Sequence, residues 1–219
     1  NLKREAVFGR FVETLKKLGY FVWFKIVDCS SYGVPQQRHR LVLLASLLTP
    51  LQLIDPEPSN FVTVRDIIGE LPPLAAGEVA KTDPLHRASQ LSSVNLQRIQ
   101  VSSPGGTWRD WPSELIATCH KSKSGKTYPS VYGRMKWDEV SPTITTQFYG
   151  FGNGRFGHPE QDRALSLREG AMLQTFPKEY KFVDSNSNVY IKTIGRLIGN
   201  AVPVRLGEVI AKSILTSLM

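Results

Sequence analysis

The sequence is poor in cysteine and in long apolar stretches, and each shortage narrows what the chain can be. Two cysteines among 219 residues, Cys29 and Cys119, supply neither a disulfide framework nor the paired spacing of a metal site, which suits a reducing compartment. The longest apolar runs, Tyr20–Phe24 and Leu41–Ala45, are far too short to span a bilayer, and no charged-then-apolar signal segment leads the chain. Strand-like runs are scarce as well: after Ala45 only scattered pieces such as Thr143–Phe148 have that character. The chain opens on Asn1 instead of Met, so it is expected to be a piece of something longer.

What is present is a soluble composition with a strong positive balance. Hydrophobic residues make up 41% of the chain, enough for a real core, and the net charge of +8 with a pI near 9.6 calls for an anionic partner, nucleic acid first. The charge is unevenly placed. Residues 47–80 carry 1 basic and 5 acidic side chains and are rich in proline, whereas 1–46 carry 8 and 3, 81–140 carry 9 and 5, and 141–219 carry 9 and 6. The acidic stretch reads as a connector, with a short helix around Thr63–Glu70.

The front of the chain reads as one end of an open α/β sheet. Val7, Phe8, Phe11, Val12, Leu15 and Leu18 form a helical stripe, Lys16 and Lys17 fall in its last turn, and Gly19 stops it. Tyr20–Val27 is aromatic and branched on both faces, so a central strand packed on both sides is expected. Leu41–Ala45 is a second strand, reached through a loop bent at Gly33 and Pro35 that is too short for a helical crossover, which makes the pair antiparallel. Arg38 and Arg40, and Gln36 if the extended geometry starts that early, project on one side of its mouth. Two guanidiniums there are costly unless carboxylates of the fold or an anionic or carbonyl-rich ligand meet them. The rest of the sheet is expected outside this chain.

From Lys81 to Trp137 lysines and arginines interleave with Trp108, Trp111, Tyr128, Tyr132 and Trp137, the mixture a nucleic-acid surface uses. The tryptophans can equally form the small core of a loop-rich subdomain. Three tempting motifs fail on context. Gly152-Asn-Gly-Arg-Phe-Gly157 runs into His158-Pro159 and not into a helix, so it is a turn. Gly125-Lys-Thr127 has His120 where a phosphate loop needs glycine, and the adjacent Cys119 and His120 cannot converge on one point. Two helices follow. Ser166-Leu-Arg-Glu169 is a capping box opening a helix through Leu173, stopped by Phe176-Pro177. Pro203 opens a terminal helix with Leu206, Val209, Ile210, Ile214 and Leu218 on one side; its first-turn amides suit a polar or anionic ligand, and burial against the missing sheet is the other reading.

Taken together, Tyr-Gly-Val-Pro-Gln-x-Arg-x-Arg at 32–40, the basic middle, Ser141-Pro-Thr-Ile-Thr-Thr146, Arg163–Glu169 with Phe176-Pro177, and Gly199-Asn-Ala-Val-Pro203 resemble the C-terminal half of a DNA (cytosine-5)-methyltransferase, bacterial or phage. The resemblance covers nearly the whole chain. It implies the C-terminal part of a Rossmann-like S-adenosylmethionine-dependent methyltransferase sheet (helix, antiparallel strand pair, terminal helix) plus a small irregular target-recognition domain. The implied division is 1–50 for the end of the catalytic domain, 51–80 for the connector, 81–190 for target recognition and its scaffold, and 191–219 for the return.

Residue by residue, Arg40 matches the arginine that bonds O2 of the flipped cytosine, Arg38 its neighbour that helps place the catalytic loop and DNA backbone, and Gln36 the glutamine opening that motif. Asn200, Ala201 and Val202 match the segment closing over S-adenosylmethionine, and Arg109, Lys121, Lys123, Lys126 and Arg134 are the expected DNA contacts. Double-stranded DNA is the implied partner, in a bacterial cytoplasm at the nucleoid, with no membrane. The chain departs from the family in lacking the Pro-Cys nucleophile, the Glu-Asn-Val acid and the Phe-x-Gly-x-Gly cofactor turn. Alone it is expected to be inactive and to need an N-terminal catalytic half, in the same polypeptide or a second subunit. A non-catalytic DNA-binding remnant is the other reading, and a family member acting on transfer RNA is disfavoured by the long basic middle.

Overall fold

The computed structural model describes residues 6–57, 61–122, 124–184 and 187–218. Helix α1 (Ala6–Lys17) follows the expected stripe, buries Phe8 and Val12, and ends at Gly19, whose φ of +86° is open to glycine at no steric cost. Strand β1 (Phe21–Asp28) pairs antiparallel with β2 (His39–Ser46), Phe21 opposite Ser46 and Asp28 opposite His39. The bend between them is built locally. The Asp28 carboxylate accepts from the Ser30 N–H at 3.1 Å, a 3₁₀ turn over Cys29–Tyr32 follows, and Gly33 closes it at φ +78°.

Helices cover the two faces of this strand pair. Phe8 of α1 meets Phe24 edge-on at 5.1 Å. On the other face Trp23, Val27, Val42 and Leu44 pack with Leu206, Val209, Ile210 and Ile214 of α7 (Val204–Leu218), so the terminal helix returns to the strands that the chain laid down first. The mixed α/β architecture with an antiparallel pair is the one expected. The two-sided burial of β1 is not: Phe21 and Ile26 remain 47% and 40% exposed, and Val7, Phe11 and Leu18 lie open beside them. Among the described residues the sheet has only two strands, so apolar residues patterned for a central strand find no neighbour beyond it.

The connector is embedded in two cores. Leu51 and Leu53 complete the cluster around α7, while Val64 and Ile68 of α2 (Val64–Ile68), capped by the reciprocal Thr63–Asp66 pair, enter the central core. That core joins α2 to α5 (Leu167–Leu173) and α6 (Ile191–Asn200) around Ile144, Phe148 and Phe156. Thr143–Phe148 forms no strand; the segment is tied by one parallel bridge between Gln36 and Ser141 and then turns. A third cluster, Leu91, Ile99, Trp108, Trp111 and Phe151, sits in a loop-rich lobe with α3 (Ser93–Gln100) and α4 (Thr118–Lys121). Among the described residues no helix is long and apolar enough to cross a membrane.

A fully buried ion pair holds the central core. Arg163 donates to both Glu169 oxygens at 2.8 and 2.7 Å, and the same carboxylate accepts the Ser166 N–H at 2.7 Å, completing the capping box of α5. Burial pushes the Glu169 carboxyl up, but the Arg163 hydrogen bonds and charge outweigh it and hold the group at about 2. His158, 3.8 Å from that carboxylate, is pushed by burial down to about 4 and is neutral at neutral pH. Both folded values lie below the ordinary 6.5 and 4.5, so the unfolded chain binds protons that the folded chain refuses. Stability is therefore complete above the ordinary histidine value and is lost as pH falls through the two windows, His158 first and Glu169 after it. Urea midpoints should fall steadily from pH 7 to pH 4.5, by an amount equivalent to roughly 1–3 kcal/mol; a flat profile would contradict the assignment of these two groups.

Candidate functional site

Strand register decides which way the arginines face. Arg40 lies opposite Val27, and Val42 and Leu44 follow it at two-residue steps, so Arg40 occupies the face that α7 covers. Arg38, two residues earlier, continues that row inward and is 4% exposed. Neither guanidinium forms an ion pair among the described residues, which removes the reading in which carboxylates of this fold neutralise them. Burial and then the neighbouring Arg40 charge push Arg38 down to about 10, and both arginines pull down the buried Cys29 thiol, which desolvation nevertheless holds above its ordinary value. Arg40 is half-buried and, among the described residues, donates to the His39 carbonyl alone, at 2.8 Å.

Arg38 is built into a buried polar network. Its guanidinium donates to the Gln36 side-chain oxygen at 3.3 Å, the Ile144 carbonyl at 3.0 Å and the Ala201 carbonyl at 3.4 Å. Gln36 in turn donates to the Leu173 carbonyl at 2.9 Å and to the Gln174 side-chain oxygen at 2.8 Å, and accepts the Ile144 N–H at 3.1 Å. Gln174 completes the circuit by donating to the carbonyls of Ile198, at 2.8 Å, and Ala201, at 3.3 Å. Four distant pieces of sequence thus meet at one knot. With its nitrogens turned inside, Arg38 is placed to position the groups around it. Sequence reading missed Gln174 altogether; a glutamine at a helix end carries no periodic signal.

The turn between α6 and α7 lies beside this knot. Asn200 is exposed, Val202 is 60% exposed, and Ala201 turns its carbonyl inward to Arg38 and Gln174. The free amides expected at the start of α7 are taken: Val204 N–H donates to the Gln174 carbonyl at 3.3 Å and Arg205 N–H to the Thr175 hydroxyl at 2.9 Å. Thr175 is held at φ +64° to make this cap. What the turn can offer a ligand is therefore the Asn200 amide and the Val202 side chain.

The proposed DNA contacts divide. Arg134 is buried at 4% exposure and donates to the carbonyls of Ile99, Ser102, His158 and Gln161 and to Asp162, so it is an internal clamp and not a phosphate contact. Arg109 lies 5.6 Å over the Trp108 ring, on the outside of the lobe, and Lys121 is exposed at the end of α4. Lys123 and the Lys126 side chain lie outside the described residues. Trp108 and Trp111 are core residues, as is His120, which stacks on Trp108 at 4.3 Å; Cys119 faces solvent. The glycine-rich stretch 152–157 is a turn, as its context required. Among the described residues no cluster could hold a metal ion.

If the knot fixes the mouth of β2, Gln36→Leu should strand the Ile144 N–H, the Leu173 carbonyl and one Arg38 donor, costing on the order of 2–4 kcal/mol in urea unfolding. A cost under about 0.5 kcal/mol would show the network to be incidental.

Comparison with known proteins adds an independent line. Residues 1–216 match the model of the C-5 cytosine-specific DNA methylases. The chain is 57% identical over 213 residues to the Type II methylase M.HgiDII of Herpetosiphon aurantiacus, covering 96% of this chain and 60% of that protein. It is 34% identical to the Type II methyltransferase M.Eco47II of Escherichia coli, over 94% of this chain and 49% of the relative. The fold matches that of a DNA modification methyltransferase encoded within an E. coli prophage with a TM-score of 0.69 at 20% identity, over 97% of this chain and 65% of that structure. The chain thus spans about half to two thirds of the length of these proteins. With the family pattern matched from its first residue almost to its last, and the arginine strand and Gly-Asn-Ala-Val-Pro turn brought together in space, this chain belongs to the C-5 cytosine-specific DNA methylase family.

Proposed function

We propose that the chain is the base-pocket and DNA-recognition part of a DNA (cytosine-5)-methyltransferase acting on duplex DNA at the nucleoid. The observation that carries this reading is the placement of Arg40. It stands half-buried on the strand face that also carries Arg38, has no carboxylate partner among the described residues, and follows by two residues the Arg38 held in the Gln36–Gln174 knot. Such a guanidinium is ready to donate to a neutral carbonyl acceptor, which is what O2 of an extruded cytosine presents. Gln36 and Arg38 act as positioning residues behind it.

The exposed face of the α6–α7 turn fits a cofactor that is polar at one end and apolar at the other. Asn200 supplies an amide with no internal partner among the described residues and Val202 an apolar side chain, with Ala201 holding both from inside. S-adenosylmethionine, when bound, supplies the methyl group. These residues would hold its edge, and the remainder of the site is assigned to a catalytic half of the family's length that this chain does not span. The sequence has no Pro-Cys pair, so the attacking thiolate is assigned there too, and the chain alone is proposed to be inactive. The division into 1–50, 51–80, 81–190 and 191–219 is kept as the working description, with the middle piece in the major groove.

Replacing Arg40 by Ala in the full encoded protein should cut methyl transfer to duplex DNA by tens to hundreds of fold, about 2–3 kcal/mol, with DNA binding retained. Unchanged turnover would remove Arg40 from the pocket. Neutralising Lys121, Lys123 and Lys126 together should lower the salt slope of DNA binding by up to about three, one per lost phosphate contact, and an unchanged slope would return them to solvent.

A further inference from the structure

Helix α6 is amphipathic in an unusual sense: its inner face is built for backbone contact and its outer face carries cations that no carboxylate neutralises among the described residues. Ile194 and Ile198 are buried in the central core, and Gly195 and Gly199 beside them let another segment lie directly on the helix. A Cβ at Gly195 would meet the Tyr149 ring at 2.4 Å, and one at Gly199 would meet the Thr145 carbonyl group at 2.4 Å and the Thr146 nitrogen at 2.5 Å. The segment 145–149 is therefore fixed against α6 at backbone distance. A groove of about 270 Å³ runs along their junction, lined by Thr146, Gln147 and Tyr149 on one wall and Lys192, Thr193 and Arg196 on the other.

The chemistry of that groove is one-sided. Lys192 and Arg196 stand one turn apart, both exposed, and neither side chain has a hydrogen bond or ion pair among the described residues. No Asp or Glu occurs anywhere between Ser141 and Pro159 or between Ser187 and Gly207, so both walls come from acid-free stretches of sequence. Thr146, Thr193 and Gln147 add neutral hydrogen-bond donors. Two cations flanked by hydroxyl and amide donors, with no acid on either wall, form a receptor for a phosphodiester oxygen. The cofactor-side Asn200 ends the same helix, four residues beyond Arg196 and eight beyond Lys192, about 6 and 12 Å along its axis, so the test below includes affinity for S-adenosylmethionine.

We infer that the groove between α6 and segment 145–149 is a second DNA-backbone site, in which Lys192 and Arg196 bind phosphates of the duplex outside the basic recognition lobe. The inference rests on the reading of the protein as a DNA enzyme given above, and its test separates the two. In the full encoded protein, duplex binding is measured against salt for the wild type, for Lys192→Ala/Arg196→Ala, and for the charge-conserving Lys192→Arg/Arg196→Lys, with thermal unfolding followed in parallel. The expected result is a salt slope lower by up to about two in the alanine pair, a correspondingly weaker affinity for DNA of any sequence, a slope restored in the exchanged pair, and an unchanged melting temperature in both. A wild type that binds duplex DNA while the alanine pair keeps its slope overturns the groove and leaves the enzyme reading standing. A wild type with no duplex binding overturns both. If the alanine pair keeps its DNA slope but loses affinity for S-adenosylmethionine, the cations serve the cofactor and the inference is likewise lost.

Discussion

The structure depends on a buried constraint: the side chains of Gln36, Arg38 and Gln174 and backbone groups from remote parts of the sequence meet one another where water cannot. Gln36 spends its amide on α5 and its oxygen on Arg38 and on the Ile144 N–H, and Gln174 spends its own amide on the end of α6. Unpaired, each of these groups would cost on the order of 1–3 kcal/mol, so the arrangement tolerates little drift. That is how a loop next to a two-stranded sheet becomes a fixed platform. Within the sheet the two strands hydrogen-bond only to each other among the described residues, and the knot attaches their mouth to the central core and to the helix pair at the C-terminus.

Electrostatic compensation follows two different rules in the same molecule. Arg163 is paired with Glu169 in complete burial, and Arg168 reaches Asp83 at 2.5 Å from a nearly buried position. Arg38, equally buried, is met only by neutral oxygens. The first pairs serve the scaffold of α5, where a stranded charge would open the core. The second leaves positive potential at the mouth of β2, close to Arg40, where an incoming electron-rich base is proposed to sit.

Local chemistry was legible in the sequence wherever a short-range rule governs it. Ser166–Glu169 announces its cap through residues three apart, and Gly19 and Gly33 announce a helix stop and a bend; all three appear as read, and the Thr63–Asp66 cap follows the same rule at the start of the short helix expected there. The antiparallel pair followed from loop length. What failed depended on partners far along the chain. Arg134 looks like a surface cation among aromatic and basic neighbours, yet carbonyls from residues 99 to 161 enclose it. The α7 amides looked free because Gln174 and Thr175, which cap them, lie some thirty residues upstream. Likewise the apolar pattern of β1 reads as a central strand, whereas among the described residues it has β2 alone beside it and leaves Phe21 and Ile26 exposed.

The Ala201 carbonyl receives Arg38 and Gln174 together, and this shared acceptor has a mechanical meaning. The hinge between the last two helices and the entrance of the second strand are gripped by the same atom, so neither can tilt without dragging the other. The positions proposed above for the base and the methyl donor would therefore keep a constant separation, as two jaws of a caliper keep their setting when the handle is turned.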